Sequence, residues 1–142
     1  MDLIDHLTRR LSFRTCGDLS GGPESGAYAL VLLILYPLSI RYSKYCGAVA
    51  PPGIYLYAGR ASENLSNRLI RHQKNKNIHW HIDTFTSHQD VLFKNILILP
   101  NQPKRKCEIV RACRQLYKAQ LPLLGFGSSD FKARCLSHLL KN

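Results

Sequence analysis

An arginine and a histidine stand one turn apart on a predicted helix and form the first candidate for chemistry in this chain. Residues 62–73 have the leucine spacing of an amphipathic helix, with Ser62 as its N-cap. Stepping about 100° per residue places Arg68 and His72 at the border of the apolar stripe and Arg71 further towards solvent. Guanidinium groups fork onto phosphate oxygens and imidazoles orient water, so the pair suits a phosphodiester. A solvated basic face explains the same spacing equally well.

Glu108 is the only acidic residue between Asp90 and Asp130. It lies in the predicted helix 104–120, which is otherwise rich in lysine and arginine. A lone carboxylate among cations is either an ion-pair partner or a ligand for a hard divalent cation such as Mg²⁺. The residues alone favour the ion pair.

Two short motifs place a tyrosine two positions from a glycine in apolar, strand-like runs: Gly26-Ala27-Tyr28 and Tyr57-Ala58-Gly59. Glycine tolerates close approach of another chain or a ligand, so each motif can present a phenol beside an opening in the backbone. A phenol is a poor base unless a nearby cation lowers its pKa, and Arg60 or Arg68 could supply that charge. Tyr55 shares a strand face with Tyr57 and could line the same site. Ordinary hairpins also contain such motifs.

The chain resembles the GIY-YIG nuclease superfamily in the order of the two tyrosine motifs, Arg68, His72 and Glu108. It also resembles a small subfamily within it, which has motifs like His-Trp-His-Ile-Asp at 79–83 and Gly-Phe-Gly-Ser-Ser-Asp at 125–130. The resemblance implies a metal-dependent endonuclease built on a three-stranded antiparallel sheet with flanking helices.

The resemblance also implies a role for each of five residues. Tyr28 takes a proton from the attacking water, aided by His72, and Tyr57 hydrogen-bonds phosphate or water. Arg68 stabilises the pentavalent phosphate, and Glu108 binds Mg²⁺, with Mn²⁺ as a substitute, on the side of the leaving group. Hydrolysis then proceeds in one step with inversion.

Further residues are expected to bind substrate around these five. On a strand, His79 shares a face with His81 and Asp83, a spacing suited to a transition metal; on a helix, His79 and Asp83 form a hydrogen-bonded pair, which we favour. Many superfamily members carry an asparagine after the metal-binding glutamate, and here Gln120, Ser128, Ser129 or Asp130 could replace it. The predicted substrate-binding residues are Tyr55, Arg60, Arg71, His79, Ser128 and Ser129.

The overall charge points to a polyanionic partner. The 142 residues carry 20 Lys+Arg against 9 Asp+Glu, a net charge of +11. Such an excess favours nucleic acid, with an anionic membrane surface as the rival. No stretch approaches the ~20 apolar residues of a membrane-spanning helix, and the first residues lack the pattern of a secretory signal. The five cysteines form an odd set without a Cys-x-x-Cys pair, which predicts free thiols in a reducing, intracellular compartment.

Apolar runs predict the elements that must position these residues. The order of strands and helices predicts one α+β domain, a small antiparallel or mixed sheet flanked by helices. Residues 1–25 are interpreted as an appendage with an amphipathic helix over 2–14, and residues 26–142 as the nuclease-like domain. The predicted strands span 27–35, 53–58 and 91–99, the predicted helices 62–73 and 104–120, with 79–88 as a short helix or a strand and a last helical piece after residue 130.

Charge, motifs and resemblance together predict a DNA endonuclease that prefers a structural feature or a single strand over a sequence. The rival hypothesis is a DNA- or RNA-binding module that keeps a nuclease-like fold without turnover. A role on RNA or at the ribosome agrees with the charge equally well. The oligomeric state is left open.

Overall fold

The computed structural model describes residues 14–15, 24–40, 47–73, 82–117 and 139–141 of the chain. Within these ranges the fold is α+β, as predicted. The strands are β1 (Arg14–Thr15), β2 (Gly26–Ile34), β3 (Leu38–Ser39), β4 (Val49–Ala50), β5 (Gly53–Ala61), β6 (Val91–Pro100) and β7 (Leu139–Lys141). The helices are α1 (Leu65–Gln73), α2 (Asp83–Thr86) and α3 (Lys106–Tyr117), the last preceded by a 3-10 turn at Pro103–Arg105.

Strand β2 forms the centre of the main sheet. It pairs antiparallel with β5 on one side and with β6 on the other. Eight of its nine residues are buried, because the apolar run is covered on both faces of the sheet. The three long strands lie where the apolar runs predicted them.

Among the described residues the main sheet has five strands, so the expected three-stranded sheet is not confirmed. Its order is β1-β6-β2-β5-β7, and β3 pairs with β4 in a separate two-stranded sheet. The additional edge strands β1 and β7 are two and three residues long. Segments of that length carry no readable alternation, which explains why the sequence did not reveal them. Strand β1 lies within the predicted appendage 1–25 and pairs with β6.

The two faces of the sheet carry different helices. Tyr28, Leu30 and Leu32 of β2 face the side on which α1 and α2 pack. Ala27 and Ala29 face the opposite side, where α3 packs. The α1 and α2 contacts come from Leu65, Leu69, Ile82 and Phe85, and the α3 contacts from Ile109, Val110 and Ala112.

The helices α1 and α3 start two or three residues later than predicted. Helix α1 begins at Leu65 and not after Ser62, because Asn64 adopts a left-handed conformation with φ 56° and the Leu65 amide donates to the Glu24 carbonyl. The ambiguous segment contains the one-turn helix α2, whereas His79 lies outside the described residues. The last predicted helical piece and nearly all of the predicted N-terminal helix also lie outside them.

Cys107, at the start of α3, is disulfide-bonded. The prediction of free thiols is therefore wrong for this residue. No helix among the described residues has the length and apolar character needed to cross a membrane.

Candidate functional site

The two tyrosine motifs contact each other across β2 and β5. Tyr28 and Gly59 are directly opposite each other on β2 and β5, with the Tyr28 ring lying over the glycine. A Cβ added at Gly59 would lie 2.5 Å from the Tyr28 hydroxyl oxygen and against its ring carbons. Gly26 is constrained in a similar way, because a Cβ there would lie 2.6 Å from the Leu99 carbonyl oxygen of β6. Both glycines therefore serve close approach, as the sequence suggested.

The Tyr28 hydroxyl is hydrogen-bonded to Nε2 of His72 at 2.8 Å. His72 is only 1% exposed because it continues the buried stripe of α1 onto the sheet, so it is not part of a solvated basic face. The His72 ring also lies against Tyr57, with centroids 6.3 Å apart in an edge-on arrangement. Three residues predicted to act in catalysis are thus in contact on one face of the sheet.

Arg68 joins this cluster from one turn earlier on α1. Its guanidinium donates to the carbonyl of Arg60 at the end of β5. Its positive charge also acts on the Tyr28 phenol, whose pKa it lowers. The Arg60 side chain is exposed beside it. The cluster of Tyr28, Tyr57, Arg68 and His72 is called the tyrosine cluster below.

Burial dominates the electrostatics of the tyrosine cluster. It raises the pKa of Tyr28 well above the ordinary phenol value, as does the neighbouring Tyr57, while Arg68 and Arg71 lower it by a smaller amount. Burial likewise raises the pKa of Tyr57 to about 12; the charge of Arg68 lowers this pKa and that of Asp83 raises it. Both phenols are therefore protonated at neutral pH. A Tyr28 that takes up a proton must pass its own to a neighbour, and His72 is in contact with it.

Arg71, predicted to bind substrate, pairs with Asp83 of α2. Its two terminal nitrogens donate to the two carboxylate oxygens at 2.9 and 2.8 Å. The Asp83 side chain is fully buried, whereas that of Arg71 is 30% exposed. Sequence reasoning expected His79 as the partner of Asp83 and missed this pair. The available signal was Asp83 itself, an acid between the apolar Ile82 and Phe85 that needs a cation when buried.

Other predicted substrate-binding residues are less directly placed. Tyr55 is buried, and its hydroxyl donates to the Pro51 carbonyl at 2.7 Å while its ring packs near Phe85. Burial raises the pKa of Tyr55 to about 12. These contacts make Tyr55 a core residue on the same face as the tyrosine cluster. His79, Ser128 and Ser129 lie outside the described residues.

Glu108, predicted to bind the metal ion, pairs with Arg105 at the start of α3. Its carboxylate accepts from Nε of Arg105 at 2.7 Å, and its side chain is 46% exposed. Its neighbours Ile109 and Val110 pack on the face of the sheet opposite to Tyr28. No group of three or more metal-ligating side chains occurs in the part of the chain that the structure describes. The arrangement around Glu108 is the ion pair that the residues alone favoured, and its role as a Mg²⁺ ligand stays a prediction.

Comparison with known proteins identifies a family but no activity. Residues 27–142 match a family described as "Domain of unknown function DUF123". The chain belongs to the DUF123 family. No curated protein and no solved structure gives a significant match to it.

The DUF123 match begins at Ala27, within β2, and extends to the end of the chain. It therefore includes the whole tyrosine cluster, the Arg71–Asp83 pair and Glu108. The description of the DUF123 family states no function, so any activity of this member has to be argued from its own site.

Proposed function

We propose that this chain is an endonuclease that hydrolyses phosphodiester bonds in DNA and prefers a structural feature or a single strand over a sequence. The observation that carries the proposal is the tyrosine cluster, in which the Tyr28 hydroxyl meets Nε2 of His72 at 2.8 Å with the Arg68 guanidinium beside it. The net charge of +11 supports a polyanionic substrate.

The chemistry assigned to the cluster follows from its contacts. Arg68 binds a non-bridging phosphate oxygen and stabilises the charge that develops on the pentavalent phosphorus. Water attacks the phosphorus as its proton moves to the Tyr28 oxygen and the original Tyr28 proton moves to Nε2 of His72. On the opposite side the bond from phosphorus to the leaving oxygen breaks, and that oxygen takes a proton from solvent. Such a transfer leaves the buried phenol neutral throughout, which suits its raised pKa. Tyr57 donates a hydrogen bond to phosphate or water.

A metal ion takes no step in this proposal. The resemblance predicts Mg²⁺ on Glu108, but that carboxylate is bonded to Arg105 on a helix of the opposite face. The metal role of Glu108 stays a prediction. The cleavage assay tests whether a metal ion is needed by comparing Mg²⁺, Mn²⁺ and EDTA.

The test is a cleavage assay on labelled single-stranded, duplex and branched DNA and RNA, each with Mg²⁺, Mn²⁺ or EDTA. We expect cleavage of at least one DNA and a loss of about 10²–10⁴-fold in His72→Gln, as for a lost acid–base group. His88→Gln is the matched control, because His88 is exposed and lies apart from the cluster. Equal activity of the two variants would exclude His72 from the reaction.

The rival function, nucleic-acid binding without turnover, is favoured by one observation. The side chain of Tyr28 is only 2% exposed, so a substrate must displace or enter the surrounding packing to reach its hydroxyl. A binding module requires no such access. Tight DNA binding without cleavage under every condition of the assay would establish it.

Both functions predict binding that depends strongly on salt. Lysine and arginine that neutralise phosphates release counterions, so the logarithm of the binding constant falls linearly with the logarithm of the salt concentration. Fluorescence anisotropy with labelled DNA at several salt concentrations measures the slope. An affinity that stays constant from low to moderate salt would contradict the charge argument.

A further inference from the structure

The Arg71–Asp83 pair connects two helices on the face of the tyrosine cluster. Asp83 begins α2 and Arg71 lies near the end of α1, next to His72. Both carboxylate oxygens of the buried Asp83 accept from the Arg71 guanidinium, a two-point contact that fixes the plane as well as the position of the arginine. Because the Arg71 side chain is 30% exposed, the fixed cation remains accessible to solvent on one side.

Stability alone does not account for such a pair. A buried ion pair is weak evidence for stability, because an apolar pair of similar volume often serves a fold equally well. The apolar contacts between α1, α2 and the sheet are already present, with Leu69, Ile82 and Phe85 all buried in one cluster. The charges of the pair also reach the site, since that of Arg71 acts on Tyr28 and that of Asp83 acts on Tyr57.

We propose that Asp83 is a positioning residue, which holds the Arg71 guanidinium beside the Tyr28–His72 contact as an anchored cation for a substrate phosphate. This inference rests on the proposed function, and it adds a second arginine next to Arg68 together with the acid that orients it. A phosphate on Arg68 then meets another guanidinium whose geometry is set before the substrate arrives, which lowers the cost of ordering it.

The deciding variant is Arg71→Lys. Lysine keeps the positive charge that Asp83 needs, but it cannot make the two-point contact of a guanidinium. We expect the variant to fold with a melting temperature between those of the wild type and Asp83→Asn, because one bond to the buried carboxylate is lost while the charge is kept. KM for DNA cleavage and Kd for DNA should each rise about tenfold, as for one lost charge-assisted hydrogen bond to phosphate. Wild-type KM and Kd in this variant would overturn the proposal.

A second pair of variants separates positioning from folding. Asp83→Asn leaves Arg71 without its counter-charge and is expected to lower both the melting temperature and the activity. The double variant Arg71→Gln with Asp83→Asn removes both charges, so we expect the melting temperature to recover while KM stays raised. Recovery of stability and activity together would show that the pair only clamps the fold. Asp90→Asn, a half-buried acid in the turn before β6 whose side chain is 39% exposed, is the matched control.

The readouts distinguish this inference from the proposed function. If the wild type binds DNA but cleaves none, the proposed function fails, and the inference is judged on Kd alone. If the wild type cleaves and Arg71→Lys cleaves with the same KM, the inference fails while the proposed function stands.

Discussion

Replacing Gly59 by alanine should disrupt the tyrosine cluster without altering any of its members. The added Cβ would lie 2.5 Å from the Tyr28 hydroxyl oxygen and closer still to the ring. The ring is 2% exposed and bonded to His72, so it has no space into which it can turn while keeping that bond. Overpacking of this kind costs about 1–3 kcal/mol. Loss of the Tyr28–His72 hydrogen bond adds about 0.5–1.5 kcal/mol.

The expected loss of stability is therefore about 1.5–4.5 kcal/mol, the sum of the two contributions. For a chain of 142 residues, this corresponds to a fall in melting temperature of roughly 5–20 °C. Thermal unfolding followed by circular dichroism or calorimetry measures it.

A double-mutant cycle tests the physical cause. Tyr28→Leu removes the hydroxyl and the ring atoms that the new methyl group would meet. Gly59→Ala should then cost much less in the Tyr28→Leu background than in the wild type, with a coupling of about 0.5–3 kcal/mol. Equal costs in the two backgrounds, or a Gly59→Ala protein that melts at the wild-type temperature, would refute the steric argument.

Three further predictions concern single groups. Tyr28→Phe should lower cleavage by about 10²–10⁴-fold, whereas Tyr55→Phe should reduce only stability, because its hydroxyl donates to the Pro51 carbonyl. Single-turnover assays compare the two variants, and a larger loss of cleavage in Tyr55→Phe would contradict the assignment of Tyr28. Glu108→Gln should change stability by no more than about 1 kcal/mol, since an exposed ion pair is lost; abolished cleavage in this folded variant would restore the metal role. The pKa values of Tyr55 and Tyr57 are raised to about 12, so their contribution to stability is complete below the unfolded value near 10 and disappears as pH rises towards 12; unfolding measured over this alkaline range should show the decline, and Phe variants should reduce it.

The long elements could be predicted because each carries its own periodic signal. The strands β2, β5 and β6 are nine or ten residues long and mostly apolar, enough to identify strands without knowledge of their partners. The helical wheel placed His72 at the edge of the buried stripe, and from there it reaches Tyr28. The contact between the two tyrosine motifs follows from the antiparallel pairing of β2 with β5.

Features that depend on a distant partner could not be predicted in the same way. Strands β1 and β7 exist only as additions to the edges of a sheet whose position the sequence does not state. Helix α1 starts late because Asn64 takes a left-handed conformation beside Glu24, a residue 40 positions earlier. The choice of Arg71 as the partner of Asp83 depends on how α2 is placed against α1, which no local pattern fixes.

The position of Glu108 shows most clearly where a linear motif stops being sufficient. An amphipathic helix after a strand can pack on either face of a sheet, and the stripe of Ile109 and Ala112 is the same in both cases. The signal that distinguishes the faces lies in β2, where Ala27 and Ala29 alternate with bulkier residues such as Tyr28. Helix α3 packs on the alanine face, where small side chains allow the helix to come close to the sheet. The motif therefore does not state from which face α3 brings Glu108 towards the sheet, and the effect of Glu108→Gln on cleavage measures whether that residue takes part in the chemistry of Tyr28.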